Sequence, residues 1–514
     1  MKVLLLYPNF FGMNMLPPSI GLFTSILKRE GHKVALFDTT MYENIEGFNM
    51  VDFDKMKSDN LNARPFDDSI LKEGKKKTNC IQDLRNMLNE FSPDFIAMSC
   101  TEDMYPLGIS ILKSIGKDRP KVVLGGIFPT SSPELAIQMS GGTVDYVLTG
   151  EGENSFSDFC RKIEKEEYPS SVEGIWYYKS KSIIKNTLPK LVNINDLPLP
   201  DYGLFQESRY YRPMQGKLRR MFPIETHRGC PYRCAYCNSP TTADIYKKEN
   251  KRFFRKKSME NIQAELRHCA DVYKADSFYF WADTFLAWTE EEFDAFCEMY
   301  KEFRLPFWIQ TRPETITERR MRKMKEVGLL RIAFGLEHGN EKFRKEMLNR
   351  HVKNSTILKK LDIVHEHGIP FSVNNILGFP NETRDLVFDT IELNRHIKSD
   401  GINAYTFTPF HGTPLRSVAE EMGLIEPGDL SRCIGKSSVL KMKQFSVEEI
   451  EGIRRCFVLY VKMPKDRWPE IKKAEALTEE GDELFMKLIN ECQTNYMHYG
   501  GDDEDSGHSE DIGS

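Results

Sequence analysis

Two stretches of the chain alternate short apolar strands with amphipathic helices, and this alternation limits the fold more than any other feature of the sequence. In residues 1–165, most strands are followed by loops rich in Gly, Pro, Ser or Thr, and Gly31 ends the helical pattern of Ile20–Arg29. Continuous apolar runs are typical of parallel strands buried on both faces, so we predict a doubly wound parallel sheet in an α/β fold, with an insertion at about 43–90. The predicted strands are Lys2–Tyr7, Lys33–Phe37, Phe95–Ser99, Lys121–Leu124 and Tyr146–Thr149.

The second alternation occupies residues 216–415 and predicts six strand–helix units, which fit a partial TIM-type barrel. Residues 166–215, with the proline-rich stretch Leu197–Tyr202, are predicted to be a linker. Residues 416–497 are predicted to form a helical cap, and residues 498–514 a disordered acidic tail. The six barrel strands are predicted at Phe222–Thr226, Ser277–Ala282, Phe307–Gln310, Arg331–Gly335, Phe371–Ile376 and Ala404–Thr408.

The charge of the chain argues against polyanionic partners. The formal net charge is −5, and six acidic residues lie in the tail 498–514, so the body is close to neutral. This balance gives no general reason to bind nucleic acid or an anionic membrane. No apolar run approaches the roughly 20 residues of a membrane span. We therefore expect no membrane span and a cytoplasmic protein.

Three cysteines, Cys230, Cys234 and Cys237, form the strongest chemical signal in the sequence. Spacings of three and two residues let one short loop supply three thiolates. A structural zinc site or a simple electron-transfer cluster generally uses four ligands, whereas three cysteines on a cubane leave one iron open. A zinc site completed by a distant Cys or His is the alternative. The loop follows a predicted strand, so it would lie at the carboxyl-terminal mouth of the barrel, where active sites occur.

Residues 222–415 resemble the radical SAM family, whose motif is Cys-x3-Cys-x-aromatic-Cys with Tyr236 in the aromatic position. The resemblance implies a 4Fe–4S cluster on the three cysteines and a site for S-adenosylmethionine (SAM). It places Asp283 at the SAM amine, although Ala282 departs from the family pattern. The residues that it assigns to SAM are Tyr236, Asp283, Arg312, Glu337 and Gly378; Arg312 would meet the SAM carboxylate and Glu337 the ribose hydroxyls.

The first domain resembles the cobalamin-binding domains fused to radical SAM barrels. The resemblance rests on stretches such as Leu16–Leu22, Glu30–Val34 and Gly125–Thr130. It implies a cobalamin site formed by Ser99, Thr101, Glu102, Gly125, Gly126, Gly150, Glu151, Gly152 and Glu153. The loop Asn9–Pro18 lacks the histidine that ligates cobalt in many such domains, and His32 is expected to serve a helix end. We therefore predict cobalamin without a His lower ligand. A domain that keeps the fold but not the cofactor is the alternative.

The two resemblances together imply cobalamin-dependent methylation of an unactivated carbon, driven by a 5′-deoxyadenosyl radical from SAM. The alternative is a non-methylating radical SAM enzyme that cyclises, contracts a ring or oxidises, with cobalamin as an electron relay or absent. A methylthiotransferase and a non-enzymatic iron–sulfur or cobalamin sensor are further alternatives. We expect a small-molecule or natural-product-like substrate and a flavodoxin or ferredoxin as reductant. The motifs do not identify the substrate, the oligomeric state or the role of residues 416–514.

Overall fold

The computed structural model describes residues 1–12, 15–48, 53, 56–57, 61, 64–179, 182–247, 252–433 and 435–497. The predicted disordered tail, 498–514, and much of the front of the predicted insertion lie outside the described residues.

The first sheet has the strand order β2-β1-β3-β4-β5-β6-β7. The strands are β1 Lys2–Tyr7, β2 Lys33–Asp38, β3 Phe95–Ser99, β4 Lys121–Gly125, β5 Tyr146–Leu148, β6 Ile175–Lys179 and β7 Ser182–Lys185. Strands β1 to β5 pair in parallel, which confirms the doubly wound arrangement. Its helices are α1 Pro18–Arg29, α2 Ser69–Glu73, α3 Cys80–Phe91, α4 Tyr105–Ser114, α5 Ile127–Ser131, α6 Pro133–Met139 and α7 Glu153–Glu164.

The strand order of this sheet reverses between β1 and β3, although the two strands are parallel. Strands β1 and β2 lie on one side of that point, and β3, β4 and β5 extend on the other. In open α/β sheets the loops that leave the carboxyl ends on the two sides of such a point diverge and open a crevice for ligands. The crevice expected here lies beyond Tyr7 and Ser99.

The second sheet is an open half-barrel with the order β16-β15-β14-β13-β12-β9-β8. Its strands are β8 Tyr211–Met214, β9 Lys217–Glu225, β12 Ser277–Trp281, β13 Phe307–Thr311, β14 Leu329–Glu337, β15 Phe371–Leu377 and β16 Gly401–Thr406, and a short ribbon joins β10 His227–Arg228 to β11 Arg255–Lys256. Six strands are parallel, as predicted, and β8 is antiparallel at one edge.

Helices cover the outer face of the half-barrel, and several begin at residues that cap them. Thr289 and Glu292 form a reciprocal capping box at one of these helices, and Thr383 caps another. The helices are α8 Asn238–Lys247, α9 Met259–Tyr273, α10 Glu290–Tyr300, α11 Glu318–Glu326, α12 Glu341–Glu346, α13 Asn354–Glu366 and α14 Arg384–Arg395. The predicted helical cap follows as α15 Pro414–Glu421, α16 Val447–Lys462, α17 Trp468–Ala474 and α18 Glu479–Asn495.

The prediction of an irregular linker at 166–215 is wrong at both ends. Strands β6 and β7 add an antiparallel hairpin to the first sheet, and β8 belongs to the second sheet. The proline-rich stretch in the middle of this segment packs tightly, because Tyr202 is fully buried and its ring lies against Phe222 and Tyr273 of the barrel. This packing fixes the two sheets against each other.

Among the described residues, no helix combines the length and the apolar character needed to cross a lipid bilayer.

Candidate functional site

A cavity of about 770 Å³ lies at the crevice between β1 and β3 and opens toward the mouth of the half-barrel. Tyr7, Pro8 and Asn9 line it from the end of β1. The half-barrel contributes Arg212, Glu225, Arg228, Lys257, Glu265 and Trp281 to the same cavity. The volume is in the range of small-molecule and cofactor sites. Both domains therefore line one shared cavity.

Eight of the nine residues predicted to bind cobalamin line this cavity. They are Ser99, Thr101, Gly125, Gly126, Gly150, Glu151, Gly152 and Glu153. Gly126 has φ +115°, and a Cβ there would lie 2.4 Å from the carbonyl oxygen of Cys100, so only glycine fits. Gly125 differs, because a Cβ there would meet no atom within 4 Å and would enter open space.

Glu102, the ninth, does not line the cavity, because its carboxylate turns away from it. It accepts hydrogen bonds from the backbone N–H groups of His411 (2.8 Å) and Ser431 (2.7 Å). His411 Nδ1 lies 2.7 Å from the same carboxylate. These bonds favour the ionised form, and the pKa of Glu102 lies below its usual value even though burial alone would raise it. Glu102 thus fastens the end of β3 to the segment that follows β16.

No histidine is among the described residues that line the cavity. His32 is buried beside the start of the chain, with Nδ1 3.1 Å from the Met1 amino group and 3.3 Å from Glu164 Oε1. A corrin in this cavity would have no imidazole from the described residues beneath it.

The three cysteines lie on the loop that leaves β10 at the mouth of the half-barrel, and all three are partly exposed. Each sulfur has a polar neighbour: Thr284 Oγ1 is 3.4 Å from Cys230, Arg312 Nη1 is 3.3 Å from Cys234, and the Ser239 N–H is 3.5 Å from Cys237. Such neighbours suit thiolate ligands.

The protein alone does not gather the three sulfurs tightly. Within the described part of the chain, no three Cys, His, Asp or Glu side chains already surround one ion position. Burial raises the pKa of the Cys237 thiol to about 12, so bound iron would have to supply the charge that keeps it deprotonated. The chemistry of the donor set fits an iron–sulfur cluster, because three thiols on one loop meet polar groups and no fourth cysteine is in the motif.

Two of the residues predicted to hold SAM flank the cysteine loop. The Asp283 side chain is exposed, but it lies among protein groups whose desolvation raises its pKa. Its negative charge raises the pKa of the Cys230 and Cys237 thiols. The Arg312 guanidinium stacks 3.8 Å from the centre of the Tyr232 ring and donates to Glu314. Both side chains can thus reach a molecule bound at the loop.

Glu337 lies at the end of β14 in the left-handed conformation, with φ 69°. It is buried, and its carboxylate pairs with Arg350 Nη1 at 3.0 Å. Desolvation raises the pKa of Glu337 against the opposing effect of Arg350. Arg350 also donates to the Gly335 carbonyl and approaches the hydroxyl of Tyr236 at 3.4 Å. The predicted pair Tyr236 and Glu337 therefore shares a third residue, Arg350, that the sequence did not reveal.

Gly378 lies at a turn after β15, with φ +85°, and its backbone N–H donates to Glu382. Glu382 and His338 are fully buried, and His338 Nε2 lies 3.0 Å from Glu382 Oε1. Glu382 holds the turn by accepting hydrogen bonds from the backbone N–H groups of Gly378 and Phe379, and His338 packs beside it.

Arg228, two residues before Cys230, joins the two domains. It contacts Glu151 at 3.0 Å and Glu153 at 2.6 Å on the first domain, and Glu225 at 3.0 Å on the barrel. Arg255, its register partner on β11, also pairs with Glu151. Glu151 and Glu153 also line the cavity. Their ion pairs therefore link the cavity wall to β10, the strand that leads into the cysteine loop.

Replacing Arg228 with Gln is expected to destabilise the protein by about 3–5 kcal/mol, because three carboxylates would lose their shared cation. Burial would raise the pKa of Glu225, but Arg228 and Lys257 lower it to about 2. Because the folded-state pKa of Glu225 is lowered, its ionisation stabilises the fold at pH values above about 4.3, the pKa of glutamate in an unfolded chain. That contribution disappears as the pH falls toward 2. The difference in unfolding temperature between wild type and variant should therefore be largest near neutral pH and should narrow below about pH 4.

Arg161→Gln is the control, since the ion pair of Arg161 with Asp158 is exposed. Equal losses of stability in the two variants would contradict the network.

Two family models match the chain. The Radical SAM superfamily model matches residues 224–393, and the B12 binding domain model matches residues 65–159. Together they cover strands β12 to β15 of the half-barrel with its cysteine loop, and strands β3 to β5 of the first sheet.

Sequence relatives point to more than one reaction. An uncharacterized methyltransferase of Pyrococcus horikoshii is 25% identical over 391 residues, which cover 74% of this chain and 82% of the relative. The anaerobic magnesium-protoporphyrin IX monomethyl ester cyclase of Rubrivivax gelatinosus is 23% identical over 353 residues, 66% of this chain and 60% of the cyclase.

Solved structures share the whole fold. The radical SAM methyltransferase TsrM of Kitasatospora setae, with cobalamin and a 4Fe–4S cluster bound, aligns with a TM-score of 0.60 and 14% identity over 96% of this chain and 99% of TsrM. The cobalamin-dependent SAM radical enzyme OxsB with aqua-cobalamin bound gives 0.64 and 16% over 96% of this chain and 71% of OxsB.

The chain therefore carries a radical SAM domain and a B12-binding domain. These two domains imply a 4Fe–4S cluster, SAM and cobalamin as its cofactors.

Proposed function

We propose that this enzyme methylates an unactivated carbon of a small molecule, using cobalamin and a radical generated from SAM. The observation that best supports this proposal is the shared cavity, which residues of the B12-binding domain and of the barrel mouth line together. When bound, the cluster and SAM supply the radical, and cobalamin supplies the methyl group. A substrate in this space could meet both cofactors without leaving the protein.

The protein's own residues would bind the cluster and SAM and would shield the reacting groups from water. Cys230, Cys234 and Cys237 would hold the cluster, with Asp283 and Arg312 beside the loop as partners for the amino acid part of SAM. Glu337, oriented by Arg350, would accept hydrogen bonds from the ribose. The interface fastened by Glu102 would keep bulk water away from the reacting space. A flavodoxin or ferredoxin would deliver electrons.

The test is the transfer of label from methyl-labelled SAM to protein-bound corrin in the reconstituted, reduced enzyme. This step needs no knowledge of the final substrate. Labelled corrin together with 5′-deoxyadenosine is the expected result. Formation of 5′-deoxyadenosine with no label on the corrin would contradict methyl transfer. That second result would favour a non-methylating reaction, for which the similarity to the cyclase of Rubrivivax gelatinosus is the supporting observation.

A further inference from the structure

The three sulfurs of the cysteine loop have unequal neighbours. Cys234 Sγ accepts a hydrogen bond of 3.3 Å from Nη1 of the Arg312 guanidinium, which carries a full positive charge. The other two sulfurs have neutral neighbours, a threonine hydroxyl and a backbone N–H. Within the described chain, Cys234 alone among the three therefore has a charged hydrogen-bond donor.

Arg312 is held at this sulfur by two further contacts. Its Nε and Nη2 atoms donate to Glu314 Oε1, at 3.2 Å and 2.6 Å. Its flat face stacks on Tyr232, a residue of the cysteine loop itself, with the guanidinium carbon 3.8 Å from the ring centre. The Arg312 side chain is 11% exposed, so water does little to screen its charge. The contact with Cys234 is thus fixed by packing.

Glu314, which orients Arg312, is itself fixed by a second cation. Arg350 Nη2 lies 3.9 Å from Glu314 Oε2. Burial would raise the pKa of Glu314, but the hydrogen bond from Arg312 and the charge of Arg350 lower it. Arg350 in turn pairs with Glu337 at the end of β14. A line of alternating charges therefore runs from β14 to the sulfur of Cys234.

A cation at a ligating sulfur acts on the electron affinity of a cluster. A cluster on thiolates becomes more negative when it takes up one electron, and hydrogen bonds to its sulfurs are among the factors that set its reduction potential. A charge-assisted donor stabilises the more negative, reduced form more strongly than the oxidised form. The hydrogen bond from Arg312 to Cys234 therefore favours reduction.

We propose that Arg312 raises the reduction potential of the 4Fe–4S cluster through its hydrogen bond to Cys234, and that Glu314 and Tyr232 are the positioning residues that hold it there. In this step one electron passes from the reductant to the cluster, the reductant is oxidised, and no bond forms or breaks. The described contacts use three of the five N–H groups of a guanidinium, so two remain for the carboxylate of SAM. The proposal needs the cluster on the loop but not the methyl transfer.

The test is a potentiometric titration of the reconstituted holoenzyme with dithionite, without SAM, followed by the EPR signal of the reduced cluster. At the midpoint potential of the wild type, the ratio of reduced to oxidised cluster in Arg312→Gln should be about tenfold lower, which equals about 59 mV for one electron. Arg312→Lys should keep part of the potential, because it keeps the charge but not the planar fork. Tyr232→Leu should shift the potential in the same direction by less, although it changes no charge.

Arg233→Gln is the matched control. Arg233 directly precedes Cys234 and carries the same charge, but its side chain is 53% exposed and pairs with Asp244. Its removal should leave the ratio of reduced to oxidised cluster within about twofold of the wild type, because solvent and salt screen an exposed charge. Equal shifts in Arg233→Gln and Arg312→Gln would overturn the proposal, since net charge alone would then explain both.

An unchanged potential in Arg312→Gln, in samples with the iron content of the wild type, would also overturn the proposal. If Arg312→Gln loses iron, Tyr232→Leu decides, and an unchanged potential in that variant has the same consequence. Label transfer to the corrin is measured in the wild-type preparation. If that transfer fails while the shift in potential persists, the proposed reaction is wrong and the role of Arg312 stands; transfer without any shift removes that role alone.

Discussion

Replacing Cys230, Cys234 or Cys237 with Ala is expected to abolish both iron binding and SAM cleavage. Each sulfur has its own polar neighbour, and a cluster held by three thiolates has no spare ligand within the motif. Iron per chain after anaerobic reconstitution, and 5′-deoxyadenosine formed under reduction, measure the two losses. Both should fall to the level of an unreconstituted sample.

Cys297→Ala provides the matched control. Cys297 is buried on α10, and burial raises the pKa of its thiol to about 12, so it should behave as a small apolar side chain. That variant should bind iron and cleave SAM like the wild type. Iron retention and 5′-deoxyadenosine formation in any one of the three loop variants would contradict the ligand assignment.

Replacing Gly125 with Leu is expected to remove cobalamin while sparing the iron. Gly125 ends β4 at the cavity wall, and a Cβ there would meet no atom within 4 Å. The new atoms would occupy room that the corrin needs. Cobalamin retention should weaken by about tenfold or more, a loss of roughly 1.4 kcal/mol or greater. Gly126 is a poorer choice, because a side chain there collides with the Cys100 carbonyl and strains the backbone.

Gly428→Leu is the control for this cavity variant. Gly428 lies on an exposed loop of the cap, away from the cavity lining, and a Cβ there also meets nothing within 4 Å. Cobalt content per chain, measured beside iron content, separates the two effects. Normal cobalt in Gly125→Leu, or an equal loss in Gly428→Leu, would place cobalamin outside the proposed cavity.

The parallel strands of both sheets could be predicted from the sequence because short stretches rich in apolar residues alternate there with amphipathic helices. The hairpin β6–β7 could not, because Ile175–Lys179 and Ser182–Lys185 are short and partly polar and pair only at the edge of a sheet formed elsewhere. Edge strands depend on a neighbour more than on their own pattern.

The residues of the candidate site also fall into those that a local motif reveals and those whose contacts form only in the folded protein. Glycines and cysteines could be found in local motifs, since their spacing carries the signal. The contact of Glu102 could not be predicted because its partner, His411, lies 309 residues away in the sequence. Arg350 was missed because nothing near it in sequence marks its contact with Glu337, which forms only when the loop after α12 folds against β14.

Iron and cobalt content per chain, measured after anaerobic reconstitution with iron, sulfide and hydroxocobalamin, tests the central claim most directly. The claim is that the cysteine loop and the cavity between the two domains hold a cluster and a cobalamin in one molecule. About four irons with about one cobalt per chain is the predicted result. About four irons with no retained cobalt would contradict it, and would leave the first domain as a fold that has lost its cofactor.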